Sequence, residues 1–219
     1  MITLAIEAST YSGSVAVIRD GTVVAERETA MRGEREERLM PAVADALREA
    51  NVAARQVERV VCGAGPGSFT SLRIAGAIAK GIALTARAPL HPVSSLLLVV
   101  AGTSPGLAPG RYAVAMDAMR GDVFAAVFTV TDATIVEDVA NTIVPRTDLA
   151  AFARHHSAHL AGPEESIVAC PHARGVAVLG TRVPWPPAAN LATWEPTYGR
   201  LAEAQVRWEA AHGRALTPR

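Results

Sequence analysis

The chain has 219 residues, half of them hydrophobic, with a formal net charge of zero and two cysteines. The balanced charge excludes a strongly basic nucleic-acid-binding protein, and so few cysteines exclude a disulfide-stabilised scaffold. The first residues lack the basic segment of a secretion signal, and the longest apolar run, residues 96–101, is too short to cross a bilayer. We therefore expect a cytoplasmic protein without membrane association.

The first 30 residues predict a strand followed by a β-hairpin. Residues 4–6 form an apolar strand, and strands at 14–19 and 22–29 flank a tight turn. Glu7 and Ser9 follow the first strand. The pattern favours Glu7 as a carboxylate that accepts hydrogen bonds from turn amides, with ligand contact as the alternative.

Residues 34–50 predict an amphipathic helix. Leu39, Val43 and Leu47 recur at helical spacing on one face. Pro41 within this segment either kinks the helix or belongs to its first turn. The mixed charge run that begins the segment is typical of a solvated face.

A glycine-rich corner follows a strand predicted at residues 57–62. Gly63, Gly65 and Gly67 alternate there, and a helix predicted at residues 71–87 leaves the turn. The spacing fits neither a Walker loop nor a dinucleotide fingerprint. It favours a structural corner over a phosphate-binding turn, with Ser68 or Thr70 capping the helix.

The helix after the corner has an unusual composition. Arg73 and Lys80 are its charged residues before position 87, and its apolar residues extend around the whole circumference. This pattern is typical of a helix buried on most sides. Gly76 and Ala77 lie close to Lys80 at helical spacing and leave a flat surface that a second helix could approach. We predict that part of this surface contacts another polypeptide.

The second half begins after a linker at residues 102–110, rich in glycine and proline. We place the boundary there, which gives domains of residues 1–104 and 105–219. Residues 112–128 predict a second β-hairpin, which turns at Arg120 and Gly121. Asp117 either faces a cleft between the halves or is a turn aspartate.

The histidines have structural interpretations. His155 and His159 are four residues apart, a spacing that some metal-binding helices use, but no carboxylate accompanies them and a histidine-rich surface is favoured. We interpret His91 as structural and His172 as a loop residue. Cys62, in an apolar run, is expected to be a small buried residue. Helices are predicted at residues 146–154 and 201–208, and the signal elsewhere beyond residue 140 is weak.

The run Gly65-Pro66-Gly67-Ser68-Phe69-Thr70, followed by Leu72-Arg73-Ile74 and Ala79-Lys80-Gly81, resembles the signature of the TsaB (YeaZ) family. The resemblance is clearest over residues 1–128, although the family usually has Gly-Val where Ser71-Leu72 stand. It implies a duplicated α/β fold of the actin, sugar kinase and Hsp70 (ASKHA) type, with mixed sheets flanked by helices. From the family's Leu-x-Pro pattern it also implies a kinked helix around Pro41.

The same resemblance implies a function. TsaB proteins are non-catalytic partner subunits in bacterial tRNA threonylcarbamoyladenosine synthesis. An assembly subunit of this kind binds a TsaD-like catalytic subunit, joins a TsaE-like ATPase, forms a homodimer when alone and meets tRNA only through the complex. No tightly bound cofactor is expected, and ATP with magnesium is expected only at the level of the complex.

Two sets of candidate residues follow, and neither includes a catalytic residue or a metal ligand. The expected partner interface comprises Leu39, Val43, Leu47, Leu72, Arg73, Gly76, Ala77 and Lys80. The alternative function is an ATP-binding enzyme of the same superfamily acting on its own. Its nucleotide would lie between the halves, at Glu7, Ser9, Gly65 and Asp117.

Overall fold

The computed structural model describes residues 1–33, 36–180, 182–183, 185–188, 190–200, 208 and 211–213. The strands of the first half are β1 (Ile2–Glu7), β2 (Ser12–Arg19), β3 (Thr22–Ala30), β4 (Arg59–Gly63) and β5 (Leu90–Val93). They form one sheet in the order β3-β2-β1-β4-β5. The first three strands are antiparallel, whereas β4 and β5 run parallel to β1.

The second half repeats this arrangement. Its strands are β6 (Gly110–Asp117), β7 (Asp122–Val130), β8 (Ile135–Pro145), β9 (His159–Gly162) and β10 (Ile167–Val168). Their order, β8-β7-β6-β9-β10, is that of the first sheet, and again three antiparallel strands are followed by two parallel ones. The predicted fold of two mixed sheets from a duplicated unit is confirmed.

Helices cover both sheets. They are α1 (Leu39–Glu49), α2 (Phe69–Ala86), α3 (Ser95–Gly102), α4 (Leu149–His155) and α5 (Gly175–Leu179). Alternation along the strands gives each sheet two apolar faces. Leu4 and Ile6 of β1 pack with α1 and α2, whereas Ala5 belongs to a core that includes α3 and residues of the second sheet. Because that core crosses between the halves, it fixes the two sheets against each other.

One predicted helix differs from the structure, and another lies mostly outside the described residues. The kink at Pro41 is wrong, because α1 begins at Leu39 and places the proline in its first turn, where a backbone N–H has no partner within the helix. The start of the predicted segment includes residues 34 and 35, which lie outside the described residues. The helix predicted at 201–208 also lies almost entirely outside them.

The long helix α2 begins at Phe69, two residues earlier than predicted. Ser68 is its N-cap residue but makes no capping hydrogen bond through its side chain. Arg87 ends the helix in the left-handed conformation, with φ of 55°. Among the described residues, no helix combines the length and the apolar composition that a membrane span requires.

Candidate functional site

The glycine corner is held by close contacts with its own chain. A Cβ atom on Gly63 would lie 1.8 Å from Glu7 Oε2, and one on Gly65, where φ is +91°, would lie 2.1 Å from the Thr197 carbonyl oxygen. Only glycine fits such approaches. The structural role favoured by the sequence explains these two positions.

The backbone N–H groups of the corner are also engaged. Ala64 donates to the Val93 carbonyl at 2.7 Å, and Gly65 donates to the Ser95 hydroxyl at 3.1 Å. The N–H of Ser68 donates to the Ser9 carbonyl at 2.7 Å. Phosphate-binding loops need such groups directed at the ligand, and these three serve the fold instead.

Glu7 is completely buried at the base of the corner. Its Oε1 accepts a hydrogen bond from the backbone N–H of Ser9 at 2.5 Å, and its Oε2 accepts one from Ser95 Oγ at 2.9 Å. Burial raises the pKa of this carboxyl, and the hydrogen bonds from Ser9 and Ser95 oppose that rise. The favoured interpretation of Glu7, a carboxylate bonded to a turn amide, is confirmed.

A cleft of about 550 Å³ lies between the two halves. Ser9 from the first half and Asp117 from the second both line it, so the structure brings together two of the four nucleotide candidates. Glu7 and Gly65 are not among the lining residues. Its apolar surface comes from both halves and from the segment near position 198, and includes Tyr11, Phe69, Met116, Phe124 and Tyr198.

The charges around the cleft are largely paired. Arg146 bonds Glu164 at 2.9 Å and Glu165 at 3.1 Å, and Arg200 pairs with Asp122. These two cations are therefore committed to carboxylates of the same chain. Among the described residues that line it, the cleft is mainly apolar, and these two arginines of its rim are neutralised by carboxylates.

A second feature lies on the outer side of α2. Residues 190–200, which we call the strap, cross this helix on their way from the second half. An ideal Cβ on Gly76 would lie 3.4 Å from Pro196 and 3.5 Å from Trp194. The flat surface predicted at Gly76 therefore exists, but the chain's own strap covers that part of it.

The strap also contacts the two basic residues of α2. Arg73 Nε donates a hydrogen bond to the Tyr198 hydroxyl at 3.1 Å, and its guanidinium lies 4.5 Å from the Phe69 ring centroid. Lys80 Nζ donates to the Ala192 carbonyl at 3.3 Å and lies 5.9 Å from the Trp194 ring centroid. Sequence reasoning did not assign the strap to this face.

Beyond the strap, one flank of α2 is exposed. Arg73, Ala77, Gly81 and Leu84 follow helical spacing along it, and Leu84 is 68% exposed. A Cβ on Gly81 would meet nothing within 4 Å. This flank, together with the strap, forms what we call the α2 face.

The interface set predicted from sequence needs correction. Four of its members are buried in this chain. Leu39, Val43 and Leu47 belong to the core between α1 and the first sheet, whereas Leu72 is buried beside Gly65 of the glycine corner. Gly76 is also buried, beneath the strap. Arg73, Ala77 and Lys80 remain accessible at least in part, and their role in an interface stays a prediction.

The predictions made for the histidines agree with the structure to different extents. His155 ends α4 and His159 lies in β9, so the pair does not share a helix as the spacing suggested. Within the described residues, no group of three or more His, Cys, Asp or Glu side chains is placed to hold a metal ion. Cys62 is buried, as expected, and His91 is buried as well.

His172 lies in a loop, as predicted, but it has a structural role that the sequence did not indicate. Its side chain is buried, with Nε2 2.9 Å from Glu28 Oε1 of β3, and Arg174 also bonds Glu28 at 3.1 Å. Burial and the charge of Arg174 lower the pKa of His172, whereas Glu28 opposes that change. The cluster joins the second half to the edge of the first sheet.

Comparison with known proteins agrees with this fold. The family model described as TsaD, tRNA N6-adenosine threonylcarbamoyltransferase, matches residues 28–181. The protein of Escherichia coli named tRNA threonylcarbamoyladenosine biosynthesis protein TsaB is 38% identical over 121 residues, which are 55% of this chain and 52% of that protein. The chain belongs to the TsaB (YeaZ) family.

Further relatives show how far the similarity extends. TsaB of Bacillus subtilis is 34% identical over 128 residues, 58% of this chain and 55% of the relative. The aligned part thus spans about half the length of these curated TsaB proteins. YeaZ from Pseudomonas aeruginosa superposes with a TM-score of 0.67 at 25% identity, covering 83% of this chain and 92% of that structure. The TsaB fold therefore extends well beyond the aligned segment.

Proposed function

We propose that this chain is the non-catalytic assembly subunit of a complex that forms threonylcarbamoyladenosine in tRNA, and that it works by binding a TsaD-like catalytic subunit. The names of its curated relatives and the family match over residues 28–181 support this role. The structural observation that carries it is the α2 face, where a long helix of the first half leaves an apolar flank exposed. Hydrophobic helix surfaces of this kind suit protein association.

The details of the site agree with a supporting role. The N–H groups of Ala64, Gly65 and Ser68 and the carboxyl of Glu7 all bond within the chain itself, so these groups support the fold. The TsaE-like ATPase and tRNA would meet the chain through the complex. When no catalytic subunit is present, the α2 face would pair with a second copy.

Co-expression with the TsaD-like subunit, followed by mass measurement of the assembly, tests the proposal. Ala77→Arg places a long charged side chain on the exposed flank and should abolish co-purification. Ala151→Arg is the matched control, because Ala151 is also an exposed alanine in a helix, but lies on α4. Undiminished binding by the Ala77 variant would remove the α2 face from the interface, and absence of any complex with the wild type would refute the role itself.

The alternative function, nucleotide binding by an ASKHA-type enzyme, is supported by the volume of the cleft and by the meeting of Ser9 and Asp117 there. The committed corner amides argue against it. Titration calorimetry with ATP and magnesium decides between the two. Binding of ATP at millimolar concentration or better that is lost on Asp117→Ala would favour the enzyme. No detectable heat of binding over that range would exclude the enzyme.

A further inference from the structure

The α2 face carries positive charge without carboxylate partners. Within the residues 69–86 that form α2, Arg73 and Lys80 are the charged side chains. The ion pairs found in the described part of the chain join other residues, and none includes either of these two. Glu195 of the strap acts on Arg73 only as a weak charge at a distance. Both cations are therefore available to an outside carboxylate.

Strap aromatics hold both cations in place. Arg73 is fixed between the Phe69 ring and the Tyr198 hydroxyl, which uses Nε and leaves its terminal nitrogens without a partner among the described residues. Lys80 is held by the Ala192 carbonyl and by Trp194. A long basic side chain normally loses rotamer freedom when it binds. In this chain, much of that rotamer freedom is already lost on folding, because the strap holds both side chains before a partner binds.

We infer that Arg73 and Lys80 recognise two carboxylates on one helix of the TsaD-like subunit, and this inference rests on the function proposed above. The two residues are seven positions apart, which is about two turns or roughly 10.5 Å along an α-helix. Ala77 lies between them with its small side chain exposed. A partner helix with acidic residues seven positions apart could pack closely on Ala77 and meet both cations.

Charge also favours binding of this partner over binding of a second copy of the chain. Across a two-fold axis the same patch faces itself, so Arg73 and Lys80 of one chain would approach those of the other. Like charges at an interface oppose association, whereas opposite charges speed it and fix its register. The heterologous complex should therefore weaken as salt is added, and a homodimer through the α2 face should be strengthened.

The test measures the affinity of the purified full chain for the TsaD-like subunit at 50 mM and 500 mM NaCl. For the wild type, affinity should fall about tenfold over this range, because salt screens charges at an interface rim. Arg73→Gln and Lys80→Gln should each weaken binding at 50 mM by about two- to fivefold, and the double variant should lose most of the salt dependence. Arg154→Gln, an exposed arginine of α4, is the matched control and should change neither value.

A second variant tests the role of the strap. Tyr198→Phe keeps the ring and the charge of Arg73 but removes the hydroxyl that accepts its hydrogen bond. Affinity should fall a few-fold while the salt dependence is retained, because the charge is present but less well positioned. Unfolding midpoints close to the wild-type value confirm that these variants remain folded.

The outcomes separate the inference from the function on which it rests. If the wild type does not bind the TsaD-like subunit at either salt concentration, the proposed function fails. If it binds with an affinity that neither salt nor the two glutamine variants change, the function stands and the inference is overturned. The inference is also overturned if the variants leave protein binding intact and instead weaken binding of tRNA, which would make these cations a phosphate-contacting surface.

Discussion

Ser95 Oγ donates a hydrogen bond to the buried Oε2 of Glu7 at 2.9 Å, across 88 positions of sequence. The same hydroxyl accepts the N–H of Gly65 at 3.1 Å. One acid, one hydroxyl and one amide thus tie the end of β1 to the start of α3 and to the glycine corner. Glu7, one of the nucleotide candidates named from the sequence, is thus an internal support of the fold.

The first prediction concerns the pH dependence that Glu7 brings to stability. Burial raises its pKa in the folded chain above the ordinary value of 4.5, so the folded state binds its proton more tightly than the unfolded state. The stabilising contribution is then complete below pH 4.5 and is lost as pH rises through the raised pKa, with a slope of up to about 1.4 kcal/mol per pH unit.

Glu7→Gln should remove this slope, since an amide does not titrate. Chemical denaturation of the wild type and the variant at several pH values from 4 to 8 provides the measurement. Glu36→Gln changes an exposed glutamate and should reproduce the wild-type curve. Parallel curves for the wild type and the Glu7 variant would contradict the prediction.

The second prediction compares two glycines. Gly63→Ala should destabilise the chain by about 1–3 kcal/mol or more, because the added methyl group would overlap Glu7 Oε2. Gly81→Ala should stabilise it by up to about 1 kcal/mol, because its Cβ meets nothing and alanine is the better helix former. Thermal unfolding measures both, and equal effects at the two sites would refute the packing described for the corner.

The third prediction concerns Gly76 beneath the strap. A single Cβ there fits at ordinary contact distance, but a leucine side chain has no space beneath Trp194 and Pro196. Gly76→Leu should therefore displace the strap and shift tryptophan fluorescence to longer wavelength. Gly76→Ala should leave the spectrum unchanged.

Ala77→Leu provides the control for that experiment, since it adds the same side chain one residue later, where α2 is exposed. Its fluorescence should match that of the wild type. A wild-type spectrum for Gly76→Leu would show that the strap does not rest on the glycine. Loss of partner binding in Gly76→Leu would therefore report strap displacement and not a direct clash with the partner.

The fourth prediction concerns His172, whose pKa is lowered in the folded chain from 6.5. The unfolded state binds this proton more tightly, so the stabilising contribution is complete above pH 6.5 and is lost as pH falls through the lowered pKa. His172→Gln should make stability less dependent on pH over that range. His155→Gln, at the exposed end of α4, should not alter it, and a wild-type pH profile for the His172 variant would count against the buried cluster.

Much of the first half could be predicted from sequence because its signals are local. Apolar strands, an Asp20-Gly21 turn and helical spacing at Leu39 and Val43 each depend on neighbours in the chain, and the structure contains the corresponding elements. The strand β8 was not predicted, because most of its residues are exposed and no alternation marks its buried positions.

The remaining differences arise from contacts between residues far apart in sequence. The spacing of small residues on α2 predicted a flat surface at Gly76. It could not show that Trp194 covers this surface. The buried contact of His172 was not predicted because its partner Glu28 lies 144 positions away. Burial of the α1 residues within their own chain also depends on the sheet they face. Amphipathic spacing reveals an apolar face without saying what packs on it.

The strap also has a consequence for synthesis of the protein. Ala192 lies 112 positions after Lys80, so a ribosome completes the first sheet and α2 long before it makes the segment that covers them. Gly76 is therefore made before the segment that covers it. The α2 face is complete only once the strap has been synthesised.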